Sequence, residues 1–414
     1  MADPRRSPLA RHGRLASPGL AIAVVRVIAI GLCVVVVAGL SLAAIAFNRL
    51  DGNVQARATA LPGDQPTDIP EIGAYSGTVN MLLVGSDTRN GQKGHYGANP
   101  GSTLNDVNIL IHISEDHTKA TVISFPRDMY VSRPSCANPE DTKQQLPGAT
   151  GVKINSVLEY GGLGCVRDTV ADLTGMKIPF AALITFDGVV EMSNAVGGVP
   201  VCVAKRIDDD YTGLHLSAGE HTLEGVTALK FLRTRHGVGD GSDLTRISSQ
   251  QVFLSSLVRK MKSSSTLTDV TKLYGLASAA TESMSLSSGL ANIDTMVSIG
   301  RGVASIPLAQ FVLVQYPTQL YADGVVPNEK PAATLMAAVK ADKTLKLAKK
   351  QTGATDGAGS VTRGDATSSP SPSGTSSPSP SATSSGDAVD LPSTVVGQTV
   401  EQETCSVGND LGRR

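Results

Sequence analysis

Short apolar or β-branched runs bounded by polar turns recur from residue 79 onward. Val79–Gly85 (VNMLLVG), Val107–Ile113 (VNILIHI) and Ala120–Phe125 (ATVISF) predict strands. The connection SEDHTK between the second and third is hairpin-sized, so these two are expected to be antiparallel. Cys136–Gly151 reads as a polar loop, followed by helices over Ile154–Tyr160 and Val166–Thr174 separated by Gly161-Gly162. A strand at Ala181–Phe186, a helix at Gly188–Val196 and a strand at Val199–Val203 give a βαβ-like alternation, which predicts an α/β sandwich. Thr222–Phe231 is expected to be helical. So is Asp243–Met261, where Ile247, Leu254, Leu257, Val258 and Met261 recur at three-to-four spacing. That stripe would face the core or border an apolar ligand channel. Phe311–Tyr316 predicts a late strand and Ala332–Lys349 a terminal helix.

The hydrophobic pattern changes kind at both ends. Val27–Phe47 carries no charge over 21 residues, a length that at ~1.5 Å per residue spans about 31 Å, the thickness of a bilayer's hydrocarbon core. Arg5, Arg6, Arg11, Arg14 and Arg26 precede it, so the N-terminus is expected in the cytoplasm and the rest outside, in a single-pass cell-membrane protein. The run exceeds a signal-peptide h-region and no clean small-x-small site follows, which favours an uncleaved anchor. Residues 48–74 read as a linker. Gly357–Asp390 is a Ser/Pro/Thr/Gly tract too poor in apolar residues to offset its ordering entropy. The expected organisation is 1–26 cytoplasmic, 27–47 transmembrane, 48–74 linker, 75–350 folded and 351–414 low-complexity tail.

Composition narrows the chemistry. A formal net charge of -1, no tryptophan and 4% aromatic residues argue against nucleic acid as a partner and against a base-stacking platform or a lectin-like sugar face. Cys33 lies in the expected span, leaving Cys136, Cys165, Cys202 and Cys405 in an oxidising compartment, where they permit three pairings. Cys136 and Cys165 flank one loop-rich segment and are the first pair expected. Neither CxxC nor HExxH occurs, so zinc chemistry has little support.

Candidate chemistry concentrates at Phe231–Phe253, FLRTRHGVGDGSDLTRISSQQVF. On extended backbone Arg233 and Arg235 would project to one face, where planar guanidinium forks suit phosphate oxygens. Ser242 or Asp243 could cap the next helix, whose free N–H groups favour an anion, and Arg246 and Gln250 would share one face of it. The plain alternative is a solvated loop with surface salt bridges. An antiparallel meander would also bring Asp87, Arg89, Asp106, Arg127 and Asp128 to one sheet edge. Paired carboxylates beside arginines suit Mg²⁺, which takes one or two carboxylates plus phosphate oxygens and water; the alternative is turn salt bridges. Lys153 stands at the start of the first helix, within reach of the same anion.

These residues resemble the LytR-CpsA-Psr family of extracytoplasmic wall enzymes over roughly Tyr75 to Met261. The resemblance rests on LLVGSDTR, the strand start at Asp106, ISFPRDMYV, KINSVLEYGG and LRTRHGVGDGSDLTRISSQQVFL. It implies an α/β/α sandwich with a central mixed sheet. It also implies transfer of a glycopolymer, such as a teichoic acid or arabinogalactan, from a polyprenyl pyrophosphate carrier onto peptidoglycan. Carried over, Asp87 and Asp106 would hold Mg²⁺. Arg89, Arg127, Arg233 and Arg235 would grip the pyrophosphate, and Arg246 and Gln250 would complete the pocket. From the chemistry of the residues themselves, Lys153 is a further candidate for the pyrophosphate, and Asp106 or Asp128 for the base that takes the acceptor proton. The family often has Arg-Gln where this chain has Ser249-Gln250, so position 249 is not expected to bind phosphate. Two rival functions are a lipid pyrophosphatase using water, and a noncatalytic module that binds lipid-linked polymer or regulates.

Overall fold

The computed structural model describes residues 58–59, 77–94, 96–97, 101–141, 143–263, 280, 284–291, 293–349, 351, 359–363, 388–409 and 411. The expected span Val27–Phe47, its flank 1–26, most of the linker and the bulk of the Ser/Pro tract lie outside them. Among the described residues no helix is long and apolar enough to cross a membrane.

The first three expected strands form as β1 (Val79–Ser86), β2 (Asn105–Ile113) and β3 (Ala120–Phe125). They make an antiparallel meander in which Leu110 lies opposite both Leu82 and Ile123. The loop expected over Cys136–Gly151 is more ordered than its polarity suggested. Cys136–Ala137 pairs with Gln145–Leu146, and β4 (Tyr130–Arg133) pairs with β5 (Ala149–Lys153). A disulfide joins Cys136 to Cys165, as expected. α1 (Val157–Thr174) runs through non-helical Gly161 and Gly162, the break between the two helices expected there. The chain continues through β6 (Phe180–Ile184), α2 (Phe186–Ala195), β7 (Val199–Lys205), β8 (Gly219–Leu223), α3 (Gly225–Arg233) and α4 (Asp243–Ser263). Then come β9 (Met284–Ser287), α5 (Ile293–Ser305), β10 (Phe311–Gln315), α6 (Glu329–Lys340), β11 (Ser360–Thr362), β12 (Gly397–Thr399) and β13 (Thr404–Val407).

The central sheet runs Ala58–Thr59, β9, β6, β1, β2, β3, β10, β12, with parallel and antiparallel neighbours mixed. Successive side chains of a strand point to opposite faces, and here both faces are covered. Leu82, Val84, Leu110 and Ile123 pack with Val166 and Val170 of α1 and Leu335 and Val339 of α6. Met81, Leu83, Ile111 and Val122 pack with Leu254 and Val258 of α4 and Ile299 of α5. This is the expected α/β/α arrangement around a mixed sheet.

Three expectations need correction. The βαβ-like alternation is not a crossover within one sheet, because β7 belongs to a second sheet of order β8, β7, β13, β11. Val199, Val201 and Val203 are buried while Pro200 is exposed, the pattern of a strand covered on one face only. The last helix stops at Lys340 rather than Lys349. Asp342 adopts φ 51° and is held there by His112 Nε2, 2.8 Å from its Oδ1, and by the Glu115 N–H on Oδ2. Finally, the fold does not end at residue 350. Val395, Val400 and Cys405 are buried, β12 closes one edge of the central sheet, and β13 lies parallel to β7 with a Cys202–Cys405 disulfide between them. These segments carry the apolar residues that the Ser/Pro tract lacks.

Candidate active site at the charged edge of the sheet

The meander ends β1 and β3 and begins β2 at one edge, so the residues just beyond converge. Gly85 lies so close to Val107 that a Cβ there would sit 2.9 Å from the Val107 Cβ, and the register shifts at this point. Asp87 then folds back: its N–H donates to Leu104 O at 3.1 Å, and its Oδ1 accepts from Leu104 N at 2.7 Å. At the strand start, fully buried Asn105 donates to Asn108 Oδ1 and Ile154 O and accepts from Leu158 N, fixing the backbone that presents Asp106.

Arg127, just past β3, is the hub. Its Nη1 donates to Asp106 Oδ1 at 2.7 Å, its Nε lies 3.6 Å from Asp128 Oδ2, and its backbone N–H donates to Asp243 Oδ2 at 3.1 Å. Burial works against the Arg127 charge but is outweighed by Asp106 and Asp243, so its pKa is raised. α4 starts as expected, with Ser242 Oγ accepting from Thr245 N at 3.4 Å. The anion in its first turn is the chain's own Asp243. Arg246, 4% exposed, lies 2.6 Å from Asp243 Oδ1 and donates to the Asp106 carbonyl at 2.7 Å. The Arg246–Asp243 pair is close without hydrogen-bond alignment, since Asp243 Oδ1 has no hydrogen-bond partner.

Arg233 and Arg235 do not alternate along a strand. Arg233 closes α3 and Thr234 is its extended cap. Helical phase turns Arg233 onto the Phe186 ring, 4.4 Å from its centroid. Thr234 donates its hydroxyl to Asp209, which is fully buried and also accepts from the Tyr211 and Thr212 N–H groups. Asp209 thus anchors the bend between the two arginines. The sequence signal for it was the Asp208-Asp209-Asp210 run before a Tyr-Thr-Gly turn, which looks like ordinary turn chemistry. Burial lowers the pKa of both arginines, helped by Arg89 beside Arg233 and by Arg127 beside Arg235. The Nε atoms of Arg89, Arg127, Arg235 and Arg246 are buried without a hydrogen bond, as is that of Arg133 outside this cluster.

A cavity of about 370 Å³ opens on this cluster, and Asp106, Arg127, Arg233, Arg235, Arg246 and Gln250 all line it. Gln250 donates to Leu232 O at 2.9 Å. Leu83, Ile109, Ile184, Val189, Met192 and Leu257 supply apolar wall. Along α4 the lining passes from Arg246 and Gln250 to Leu254 and Leu257; at 1.5 Å per residue the end of that series lies roughly 16 Å beyond Arg246. The stripe expected to face either core or a channel does both. Asp87, Arg89 and Asp128 stand behind the lining, against Asp106, Arg233 and Arg127 respectively. Lys153 does not line the cavity: its Nζ pairs with Asp323 at 2.7 Å and lies over the Tyr130 ring, with Asp128 as its charged neighbour from the cluster. β5 pairs with β4, Lys153 opposite Tyr130, and this places its side chain beside the Asp323 hairpin.

Among the described residues no group of three or more His, Cys, Asp and Glu could hold a metal. Asp87 and Asp106 are nonetheless electrostatic neighbours. Burial raises the Asp87 pKa, against the Leu104 hydrogen bond, and the Asp106 charge raises it further. A cation sharing both carboxylates would relieve that repulsion. The donor set fits Mg²⁺ as a partial shell, completed by phosphate oxygens and water.

Residues 46–350 match the LytR_cpsA_psr family model. The chain is 32% identical over 244 residues to a Corynebacterium glutamicum protein named cell wall biosynthesis protein LcpA, covering 53% of this chain and 47% of that one. It is 28% identical over 251 residues to the Bacillus subtilis polyisoprenyl-teichoic acid–peptidoglycan teichoic acid transferase TagT, covering 59% and 72%. The chain thus spans about half the length of the first of these relatives. Its fold is shared by a Streptococcus agalactiae protein, gbs0355, with a TM-score of 0.51 at 20% identity over 64% of this chain and 88% of that one. A LytR-Csp2A-Psr enzyme from Actinomyces oris gives 0.50 at 22% over 68% and 96%. With the family match running from before the meander to beyond α6, the chain belongs to the LytR_cpsA_psr family.

Proposed function

We propose that this protein is a membrane-anchored phosphotransferase that moves a glycopolymer from a polyprenyl pyrophosphate carrier onto peptidoglycan outside the cell. The observation that carries the reading is one cavity that joins a buried arginine cluster to an apolar wall. A lipid pyrophosphate has the matching polarity: an anionic head and a long apolar chain. Names of relatives that include wall biosynthesis and teichoic acid transfer support it, and two disulfides suit an oxidising exterior.

In this reading Arg127, Arg233, Arg235 and Arg246 bind the phosphate oxygens, and Arg89 supports them from behind Arg233. They stabilise charge that develops as the acceptor sugar hydroxyl attacks the glycan-side phosphorus. A new phosphodiester forms, the pyrophosphate bridge breaks, and polyprenyl phosphate leaves. Asp106 lines the cavity whereas Asp128 does not, so Asp106 is the carboxylate placed to touch substrate and Asp128 positions Arg127. Five arginines face Asp87, Asp106, Asp128 and Asp243 here, leaving little net positive charge for a doubly ionised pyrophosphate. Mg²⁺ held by Asp87 and Asp106 would supply the missing charge.

The test is reconstituted transfer with the full chain, a polyprenyl pyrophosphate-linked glycan, Mg²⁺ and peptidoglycan. The expected product is acceptor carrying phosphodiester-linked glycan, with one polyprenyl phosphate released per transfer. Release at the same rate without acceptor would favour a pyrophosphatase.

A further inference from the structure

The arginines of the cluster are held in two ways. Arg127 faces Asp106, Asp128 and Asp243, and Arg246 lies 2.6 Å from Asp243, so carboxylates fix both and offset their charge. Arg233 forms no ion pair or guanidinium hydrogen bond with a described residue; its Cζ lies 4.4 Å from the centre of the Phe186 ring. A ring attracts a cation through its quadrupole and does not neutralise it, as a carboxylate would. Arg233 therefore keeps its charge and its N–H donors for another partner.

The ring itself is fixed. Phe186 is buried and opens α2, whose Thr185 cap accepts from Gly188 N at 3.3 Å. Tyr96 packs edge-on against it, with ring centres 5.3 Å apart at 75°. The next residue, Asp187, ties down the segment that carries Tyr96: it accepts from the Tyr96 hydroxyl at 2.5 Å, from Lys93 N at 2.6 Å and from Gly94 N at 3.2 Å. Phe186 also lines the cavity with Ile184, Val189 and Met192, so the apolar wall meets Arg233 at this ring.

We propose that Phe186 is a positioning residue: its ring holds the Arg233 guanidinium, with its charge uncompensated, for a pyrophosphate bound in the cavity. It acts through Arg233 and not by contact with the reacting phosphorus. The inference rests on the proposed lipid pyrophosphate substrate. An aliphatic side chain would keep the wall but free Arg233 to swing toward Asp87 and Asp106, which attract it from beyond ion-pair distance. A pair formed there would cancel the charge the substrate needs.

The test measures equilibrium binding of radiolabelled geranylgeranyl pyrophosphate to the full chain in detergent micelles, with geranylgeraniol as the probe that lacks a charged head. Phe186→Leu and Phe186→Met stay apolar but lose the ring. Each should weaken binding of the pyrophosphate lipid about tenfold, the scale of a desolvated cation–ring contact, and change binding of the alcohol by less than about twofold. Phe186→Tyr should restore most of the lost affinity. In an Arg233→Ala background the same substitutions should add less than about twofold, because the contact they remove is already gone. A ring that serves only as wall would weaken both lipids and by the same factor with or without Arg233. Either of those results, or wild-type affinity in Phe186→Leu and Phe186→Met, would overturn the inference. No binding by wild type would overturn it together with the proposed function. If the cycle holds while acceptor-dependent transfer fails, the positioning role stands and only the transfer reading falls.

Discussion

Arg127–Asp106 and Lys153–Asp323 are both cation–carboxylate pairs, and both close at 2.7 Å. Their surroundings differ. The Arg127 and Asp106 side chains are 22% and 26% exposed, and Asp128 and Asp243 add two further carboxylates. Asp323 is 72% exposed, and its neighbours are Lys153 and Tyr130. Distance alone therefore says little. What sets the first pair apart is that its guanidinium faces three carboxylates and shares a cavity with three more arginines. The second pair is a surface latch screened by water.

The strongest way to break this contrast is Arg127→Ala. Loss of one preorganised charge donor should lower transfer by about two to three orders of magnitude, with an unchanged circular dichroism spectrum; a drop of less than threefold would place Arg127 with the surface latches. Next is the metal: chelator should lower transfer by about a hundredfold, the scale of charge stabilisation a bound cation supplies. Added Mg²⁺ should restore it, and Asp87→Asn should blunt that rescue. Thr234→Val removes the hydroxyl that Asp209 holds and should raise the substrate KM severalfold by loosening the bend between Arg233 and Arg235, about 1 kcal/mol. Lys153→Ala should change transfer by less than about twofold, because its charge is spent on an exposed partner.

The smallest effect expected concerns the other end of β2. Burial, only partly opposed by Asp342, holds the His112 pKa below its ordinary 6.5. The unfolded chain then binds the proton more readily, so this stabilisation is complete above pH 6.5 and is lost as pH falls through the lower folded value. Thermal melts should show a Tm that declines below pH 6.5, and His112→Gln should flatten that decline.

Legibility in the sequence followed range. β1 to β3, the hairpin and the convergence of Asp87, Asp106 and Arg127 came from runs of six to nine residues and short turns, where period and chemistry act locally. Arg233 and Arg235 line one cavity, as their spacing suggests, but on a different backbone: two-residue spacing fits a strand, whereas α3 extends to Arg233. That Lys153 pairs with Asp323 was not legible, because nothing nearby announces a hairpin 170 residues away. Asp209 and Asn105 were missed since their partners, Thr234, Ile154 and Leu158, are set by tertiary packing. The second sheet was invisible for the same reason: β7 finds β13 across 203 residues.

That separation also has a consequence in time. β7 leaves the ribosome, and in the expected topology the membrane, long before its parallel neighbour β13 exists. Closing so large a loop costs chain entropy, and the Cys202–Cys405 bond removes about 5 kcal/mol of it from the unfolded ensemble in the chain-entropy picture. β13 also meets α4 directly, through Ser406 Oγ on Ser249 Oγ at 2.8 Å. The helix that carries Arg246 is thus held by β13 as well as by the central sheet and β7. A chain made only as far as α4 already carries the meander, its aspartates and Arg246; what it lacks is the parallel partner of β7.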